Sequence, residues 1–251
     1  MAATAVDNAG FRLNPADAYG LDRVRGVQWL RAVLLSPPRQ LAFGRPTWRG
    51  RTHAWAFAGA LPAGFLLATS AAQPVERAAA SIYAVTLALV FGTSAAYHRM
   101  TRTERSRLIM RKLDHAMIYL LIAGSYAPIC LVALPHRWGV PILGYVSVLA
   151  AVGVVTTLTA FDGARRFAYA LYPLMVGTII LASPLLVTHL SATQLVLVVA
   201  GVVAYAGGVP VLMHKRPDPR PTVFGYHEIW HLSTIVAASL HFAAIHDITV
   251  T

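Results

Sequence analysis

The sequence predicts an all-α membrane protein: a seven-transmembrane helix bundle with its N-terminus in the cytoplasm and its C-terminus outside. Three observations carry this expectation. Of 251 residues, 57% are hydrophobic and only 12% are charged, about half the ~25% of an ordinary soluble domain. Seven stretches are apolar over the ~20 residues that a helix needs to cross a bilayer. Basic residues crowd the connections on one side of those stretches and avoid the other. The same composition excludes an intrinsically disordered chain, which needs low hydrophobicity and high charge, and leaves too few charges to coat a water-soluble globule.

The seven stretches are His53–Ala72, Glu76–Tyr97, Leu113–Leu134, Trp138–Ala160, Phe167–Val187, Ala192–Met213 and Gly225–His246. An earlier apolar run, Ala32–Phe43, is too short and is broken by Pro37, Pro38 and Arg39. No cleavable signal peptide is expected, and the first span serves as the insertion signal. Pro62, Pro128, Pro141, Pro173, Pro184 and Pro210 fall inside spans. They are read as kinks, because neighbouring helices can re-satisfy the freed backbone groups. Trp55 and Trp138 read as interface anchors. The chain divides into a polar, Arg-rich cytoplasmic tail, 1–52, and a transmembrane domain, 53–251. Within the tail, Leu21, Val24, Val27, Leu30 and Leu34 recur at helical spacing among Arg23, Arg25 and Arg31. This pattern fits either an amphipathic helix lying on the membrane or a partly ordered tail.

The net charge is +11. Eight arginines precede the first span, six basic residues lie in the connection 99–112, two in the fourth connection (Arg165, Arg166) and three in the sixth (Lys215, Arg216, Arg220). Only Arg77 and Arg137 fall on the other side. The positive-inside rule then puts the N-terminus in the cytoplasm. Anionic lipid headgroups suffice as partners for the basic excess; nucleic acid is not expected, and no motif for it occurs. Arg and Ala richness, with Lys112 and Lys215 the two lysines, suggests a GC-rich bacterial genome and hence a multi-pass protein of the bacterial inner (plasma) membrane. Cys130 is the single cysteine, which excludes an internal disulfide and a cysteine-based zinc knuckle.

Ionisable residues inside spans are costly and mark function by default. Here they converge. The second span ends in Ser94-Ala-Ala-Tyr-His98, with Ser94 and His98 on one helical face at i and i+4. The third begins with Asp114-His115. The seventh begins with His227-Glu-Ile-Trp-His231, again i and i+4. The charge-derived orientation puts all three groups near the cytoplasmic face. Three histidines and a water make the ligand set of a catalytic zinc site with one open position. Asp114 and Ser94 are then placed to hydrogen-bond the metal-bound water, whose pKa zinc lowers to about 7. His115 is expected to be a structural partner and His53 to be interfacial. His241 and His246 belong to the outer half of the last span, and His136 and His189 to outer connections.

These motifs, with Gly124-Ser-Tyr-Ala-Pro128 after Asp114 and His241-Phe242 near the end, resemble the hemolysin III family. That family is the bacterial branch of the progestin and adipoQ receptor (PAQR) family. The resemblance covers roughly 45–246 and leaves the tail outside. It implies a zinc ion held by His98, His227 and His231, with Ser94 and Asp114 beside its water, and a cytoplasmic N-terminus. The wider superfamily includes alkaline ceramidases, which cleave an amide bond in a lipid.

The function expected is zinc-dependent hydrolysis of a lipid amide or ester, ceramidase-like, in membrane homeostasis. Asp114 would position or deprotonate the water, and Ser94 would hold the water or the developing oxyanion. Membrane lipids are the partners, with substrate entering from the lipid phase and its acyl chain beside Leu181–Val187 and Leu195–Val203. Alternatives are a non-catalytic receptor-like or homeostasis protein with structural zinc, a cytolysin, and an intramembrane metalloprotease. The last arises because His227-Glu228-Ile229-Trp230-His231 matches H-E-x-x-H, with Glu228 as general base and Asp162 as a further ligand. It leaves Ser94, His98 and Asp114 unexplained, but Glu228 is kept as an auxiliary acid–base group. Gly201, Gly207 and Gly208 permit close helix packing within the bundle or between protomers, which leaves the oligomeric state open.

Overall fold

A computed structural model describes residues 46–160 and 163–250. The amphipathic pattern around Leu21–Leu34 and the Asp162 alternative lie outside the described residues. Eight α-helices form within them: α1 Arg51–Ser70, α2 Pro74–Met100, α3 Glu104–Pro128, α4 His136–Ala160, α5 Arg165–Leu181, α6 Ser183–His189, α7 Ala192–His214 and α8 Tyr226–Val250. Five of them are long and apolar enough to cross a membrane: α2, α3 with its extension to Ala133, α4, α7 and α8. The pair α5–α6, bent by 50°, makes a sixth if taken as one span. α1 spans 20 residues, but it is rich in Ala and Gly rather than Leu and Val and is not in this set. The architecture is all-α and multi-pass.

Local chemistry accounts for the helix starts. Gln73 and Glu76 close a capping box at α2, with Pro74 in the first turn, where its missing N–H costs nothing. Thr103 with Ser106 and Ser191 with Gln194 do the same at α3 and α7, each satisfying two backbone donors that would otherwise be orphaned.

Two expectations about element boundaries are corrected. The connection 99–112 is mostly helix. α2 runs to Met100 and α3 starts at Glu104, so α3 with the π-helical segment Ile129–Ala133 reaches 30 residues. Lys112, counted above among the connection's charges, is buried and donates from Nζ to the Leu158 carbonyl at 3.0 Å, tying α3 to the end of α4. The span Phe167–Val187 is broken at Ala182 rather than kinked. Pro184 carries no N–H and disfavours helical geometry in the residue before it, so α6 restarts with Pro184 in its first turn.

α8 is the hub of the bundle: it packs on α1, α2, α3 and α7. Leu67, Tyr83, Leu87, Phe91, Leu121 and Ile245 form the core between α1, α2, α3 and α8. Tyr119, Tyr126, Val146 and Met175 form that between α3, α4 and α5. Buried hydroxyls bond across helices. Tyr83 donates to the Ala238 carbonyl at 3.0 Å, Tyr119 to Ala168 at 2.6 Å and Tyr126 to Met175 at 2.7 Å. Within hydrocarbon, polar groups have no water to fall back on.

Close backbone approach limits one packing contact. A Cβ placed on Gly139 of α4 would run into the Cys130 carbonyl, whereas one on Gly144 would meet nothing within 4 Å. Gly139→Ala is therefore expected to cost about 1–3 kcal/mol through overpacking. Gly144→Ala, on the same helix, should be neutral or slightly stabilising through helix propensity. Thermal unfolding of the two variants in detergent, followed by tryptophan fluorescence, checks this; equal midpoints would refute the contact.

Candidate metal centre

His98 lies in the last turn of α2, and His227 and His231 lie one turn apart in the first two turns of α8. The fold brings them together. One ring nitrogen from each lies within 4.8 Å of the other two, and the Nε2 atoms of His98 and His227 are 3.2 Å apart. Ring centroids are 4.6–4.9 Å apart. His98 and His231 are 8% and 2% exposed, respectively. Nitrogens ~2.05 Å from a tetrahedral ion stand ~3.3 Å from each other, which the His98–His227 separation approaches. The donor set is three imidazoles, a set suited to zinc and its first-row neighbours. Within the described residues, His231 Nδ1 is buried with no hydrogen-bond partner, an arrangement that is costly unless something else meets the ring. The residues fit a divalent metal.

The three histidines are set by the connections before α1 and α8. Asp218 Oδ1 accepts from the Tyr226 N–H at 3.1 Å, and Glu228 Oε2 accepts from the Gly225 N–H at 2.8 Å. Both carboxylates thus serve the open donors at the start of α8. Glu228 Oε1 meets Arg49 Nε at 2.6 Å in a buried ion pair, the two side chains being 0% and 8% exposed. The segment before α1 clips onto the loop before α8: the Thr47 and Trp48 N–H groups donate to the Thr222 and Val223 carbonyls at 3.1 and 3.0 Å. Gly50 then turns the chain into α1 with φ 72°, a left-handed conformation that favours glycine. A Cβ there would approach His98 Cβ to 2.6 Å. The turn into α1 is therefore pressed directly against a ligand.

The structure corrects the reading of His53. It is not interfacial but 5% exposed. Its ring stacks on His231 at 3.8 Å, with 6° between the planes. Its Nε2 bonds Thr234 Oγ1 at 3.1 Å, and Thr234 in turn donates to the His231 carbonyl at 2.8 Å. Arg49 and His53 escaped sequence reasoning, because Arg49 precedes α1 and is separated from it by Gly50 in a left-handed conformation, so the two share no helical face. Arg49 was submerged among the tail's other arginines.

Ser94 is buried one turn before His98 on the same face of α2, and its hydroxyl is the side-chain hydrogen-bonding neighbour of the Asp114 carboxyl group. His115 Nδ1 stands 3.9 Å from Asp114 Oδ2 and bonds the Arg111 carbonyl at 2.8 Å. Two groups thus form: the imidazole triad, and the Ser94–Asp114 pair joined to it through a turn of α2. Glu228, between the two ligands of α8, has both oxygens engaged by Arg49 and Gly225. His241 lies apart, against the Val198 carbonyl at 3.2 Å.

Comparison with known proteins identifies the family. A family model described as Haemolysin-III related matches residues 41–242. Hemolysin-3 of Bacillus cereus is 30% identical over 169 residues, covering 66% of this chain and 72% of that protein. The Hemolysin-3 homolog of Bacillus subtilis is 26% identical over 165 residues, covering 66% and 74%.

The geometry predicts about one transition-metal ion per chain in detergent-purified protein. His98→Ala and His231→Ala should each lower that content at least ~10-fold, while His241→Ala should leave it unchanged. Elemental analysis by plasma mass spectrometry reads the result; metal surviving both triad changes would refute the centre.

Proposed function

The chain belongs to the haemolysin-III-related family, and from that footing we propose a zinc-dependent hydrolase of lipid amides or esters in the bacterial plasma membrane. The observation that carries the proposal is the convergence of His98 and His231, both buried, with the half-buried His227, one helical turn from Ser94, the hydrogen-bonding neighbour of Asp114. Those three residues would hold the ion. Bound zinc supplies Lewis-acid polarisation of a carbonyl and brings a water within reach of deprotonation near neutral pH.

The remaining work falls to the chain. Asp114 takes the proton of the attacking water at a carboxylate oxygen and returns it to the leaving amine or alcohol as the C–N or C–O bond breaks. The products are a fatty carboxylic acid and an amine or alcohol. Ser94 holds the Asp114 carboxyl by its hydroxyl and keeps it on the face of α2 that carries His98. His53, stacked on His231, holds that ring in orientation. The low-dielectric surroundings strengthen each of these interactions.

The burial of His98 and His231 and their bridging of α2 to α8 favour a second reading, a metal that only ties helices together. Asp114→Asn separates the two. It should keep the metal and lose ~10²–10⁴-fold in hydrolysis of a fluorescent ceramide or acyl ester. Unchanged turnover in that variant, or no turnover in the metal-loaded wild type, would leave the structural reading.

The topology proposed is seven crossings: α1, α2, α3 with its π-helical extension, α4, the bent α5–α6 pair, α7 and α8. The N-terminus is cytoplasmic, which puts the metal centre near the cytoplasmic face. The excess of basic residues in the N-terminal tail and in the second, fourth and sixth connections supports this orientation. Alkaline phosphatase fused after Thr251 should be active and green fluorescent protein fused at the same point dark; the reverse pattern would overturn it.

A further inference from the structure

Two open cavities meet at Trp55 on the seam between α1 and its neighbours. One, about 260 Å³, is lined by Arg51, Ala54, Trp55 and Arg99. The other, about 410 Å³, is walled by Trp48, Thr52, Trp55, Phe224, Leu232 and Ile235. The first is cationic and the second almost wholly apolar. Trp55 is 67% exposed, and Trp48 meets it edge-on with centroids 5.7 Å apart. The Arg51 guanidinium carbon lies 6.0 Å from the centre of the Trp48 ring. Neither Arg51 nor Arg99 is in an ion pair among the described residues, in contrast to neighbouring Arg49.

One polar atom in the apolar groove has no occupation within the described residues. Thr52 is 8% exposed, and its Oγ1 is buried without a hydrogen-bond partner. A buried hydroxyl left unmatched is costly, and this one borders a cavity. Two guanidinium groups without an ion pair among the described residues, two indole rings of the kind that favour a membrane interface, one hydroxyl with no partner among the described residues and then an apolar trough follow the chemical order of a phospholipid from its phosphate to its chain.

We propose that this seam is a binding site for one anionic phospholipid. Arg51 and Arg99 hold its phosphate by charge-assisted hydrogen bonds, Thr52 donates to an ester carbonyl, and an acyl chain lies along Phe224, Leu232 and Ile235. Thr52 precedes His53 and Leu232 follows His231, so the lipid braces the stacked pair from the membrane side. The site is separate from the proposed hydrolytic centre and does not depend on hydrolysis occurring.

Native mass spectrometry of the full-length protein, titrated with phosphatidylglycerol and with phosphatidylcholine, tests the site. One phosphatidylglycerol per chain should be retained in preference to phosphatidylcholine. Arg51→Gln/Arg99→Gln should weaken it about thirtyfold, at about fivefold for each charge near a headgroup. Arg102→Gln, an exposed basic residue outside the cleft, should not weaken it, and Thr52→Val should weaken it about fivefold. Should the double variant fail to fold, Arg99→Gln alone should lose about fivefold. Equal retention of the two lipids, equal loss in Arg102→Gln, or unchanged binding in both cleft variants would overturn the site. Displacement by millimolar inorganic phosphate would reassign it to a free anion. Binding that emerges only after residues 2–44 are deleted would show the groove covered by the chain's own N-terminal segment.

Discussion

The buried Arg49–Glu228 pair is the constraint on which the placement of the histidine triad depends. A carboxylate with no exposure at a membrane-helix start would be severely penalised alone. Here its two oxygens are met by a guanidinium and a backbone N–H. Coulombic gain and desolvation cost nearly cancel in such pairs, so its main effect is on register rather than net stability. It pins the segment before α1 to the first turn of α8, and Thr47 and Trp48 repeat the link through backbone bonds. With that end of α8 fixed, His227 and His231 can face only the end of α2, where His98 waits against Gly50.

The treatment of polar groups elsewhere sets the triad apart. Tyr83, Tyr119, Tyr126, Lys112 and His241 each reach a backbone carbonyl on another helix. That is the ordinary solution in a medium without water. The three imidazoles instead turn nitrogens toward one another. Among the described residues, His231 Nδ1 is buried with no hydrogen-bond partner, so the cluster is not closed by hydrogen bonds within the protein, and its three facing nitrogens are an arrangement that could hold a metal ion.

The parts of the fold legible in the sequence were those with a periodic or charge-based signal. Apolar runs marked the helices that could be spans, and the spacings 94/98 and 227/231 marked the faces on which His98, His227 and His231 meet. What escaped had no such signal or had a misleading one. His53 stands at the edge of an apolar run, where imidazoles usually meet headgroups; its burial comes from α8 packing over it, a contact between residues about 180 positions apart. Arg49 looked like one more tail charge. The break at Ala182 was visible as Pro184, but whether a proline kinks or breaks a span depends on neighbouring helices, not on the proline. The charge of 99–112 left it open whether that connection is an interfacial helix or a loop, and Thr103 capping the helix that starts at Glu104 decides it.

The five residues His227 to His231 show how one pattern can serve two chemistries. In H-E-x-x-H proteases, the glutamate must present a free carboxylate to water beside the metal. Here the glutamate is ~100° around α8 from His227 and ~60° from His231, and both its oxygens are committed to Arg49 and Gly225. The helix that presents two imidazoles inward therefore directs its acid toward the chain entering α1. In the proposed mechanism, the acid–base role falls to a carboxyl on a different helix, Asp114, whose hydrogen-bonding neighbour is Ser94. Separating the acid from the ligand helix has a consequence for mutation. Changes at Glu228 should act on the placement of both α8 ligands together, whereas changes at Asp114 should act on proton transfer with the ligands in place.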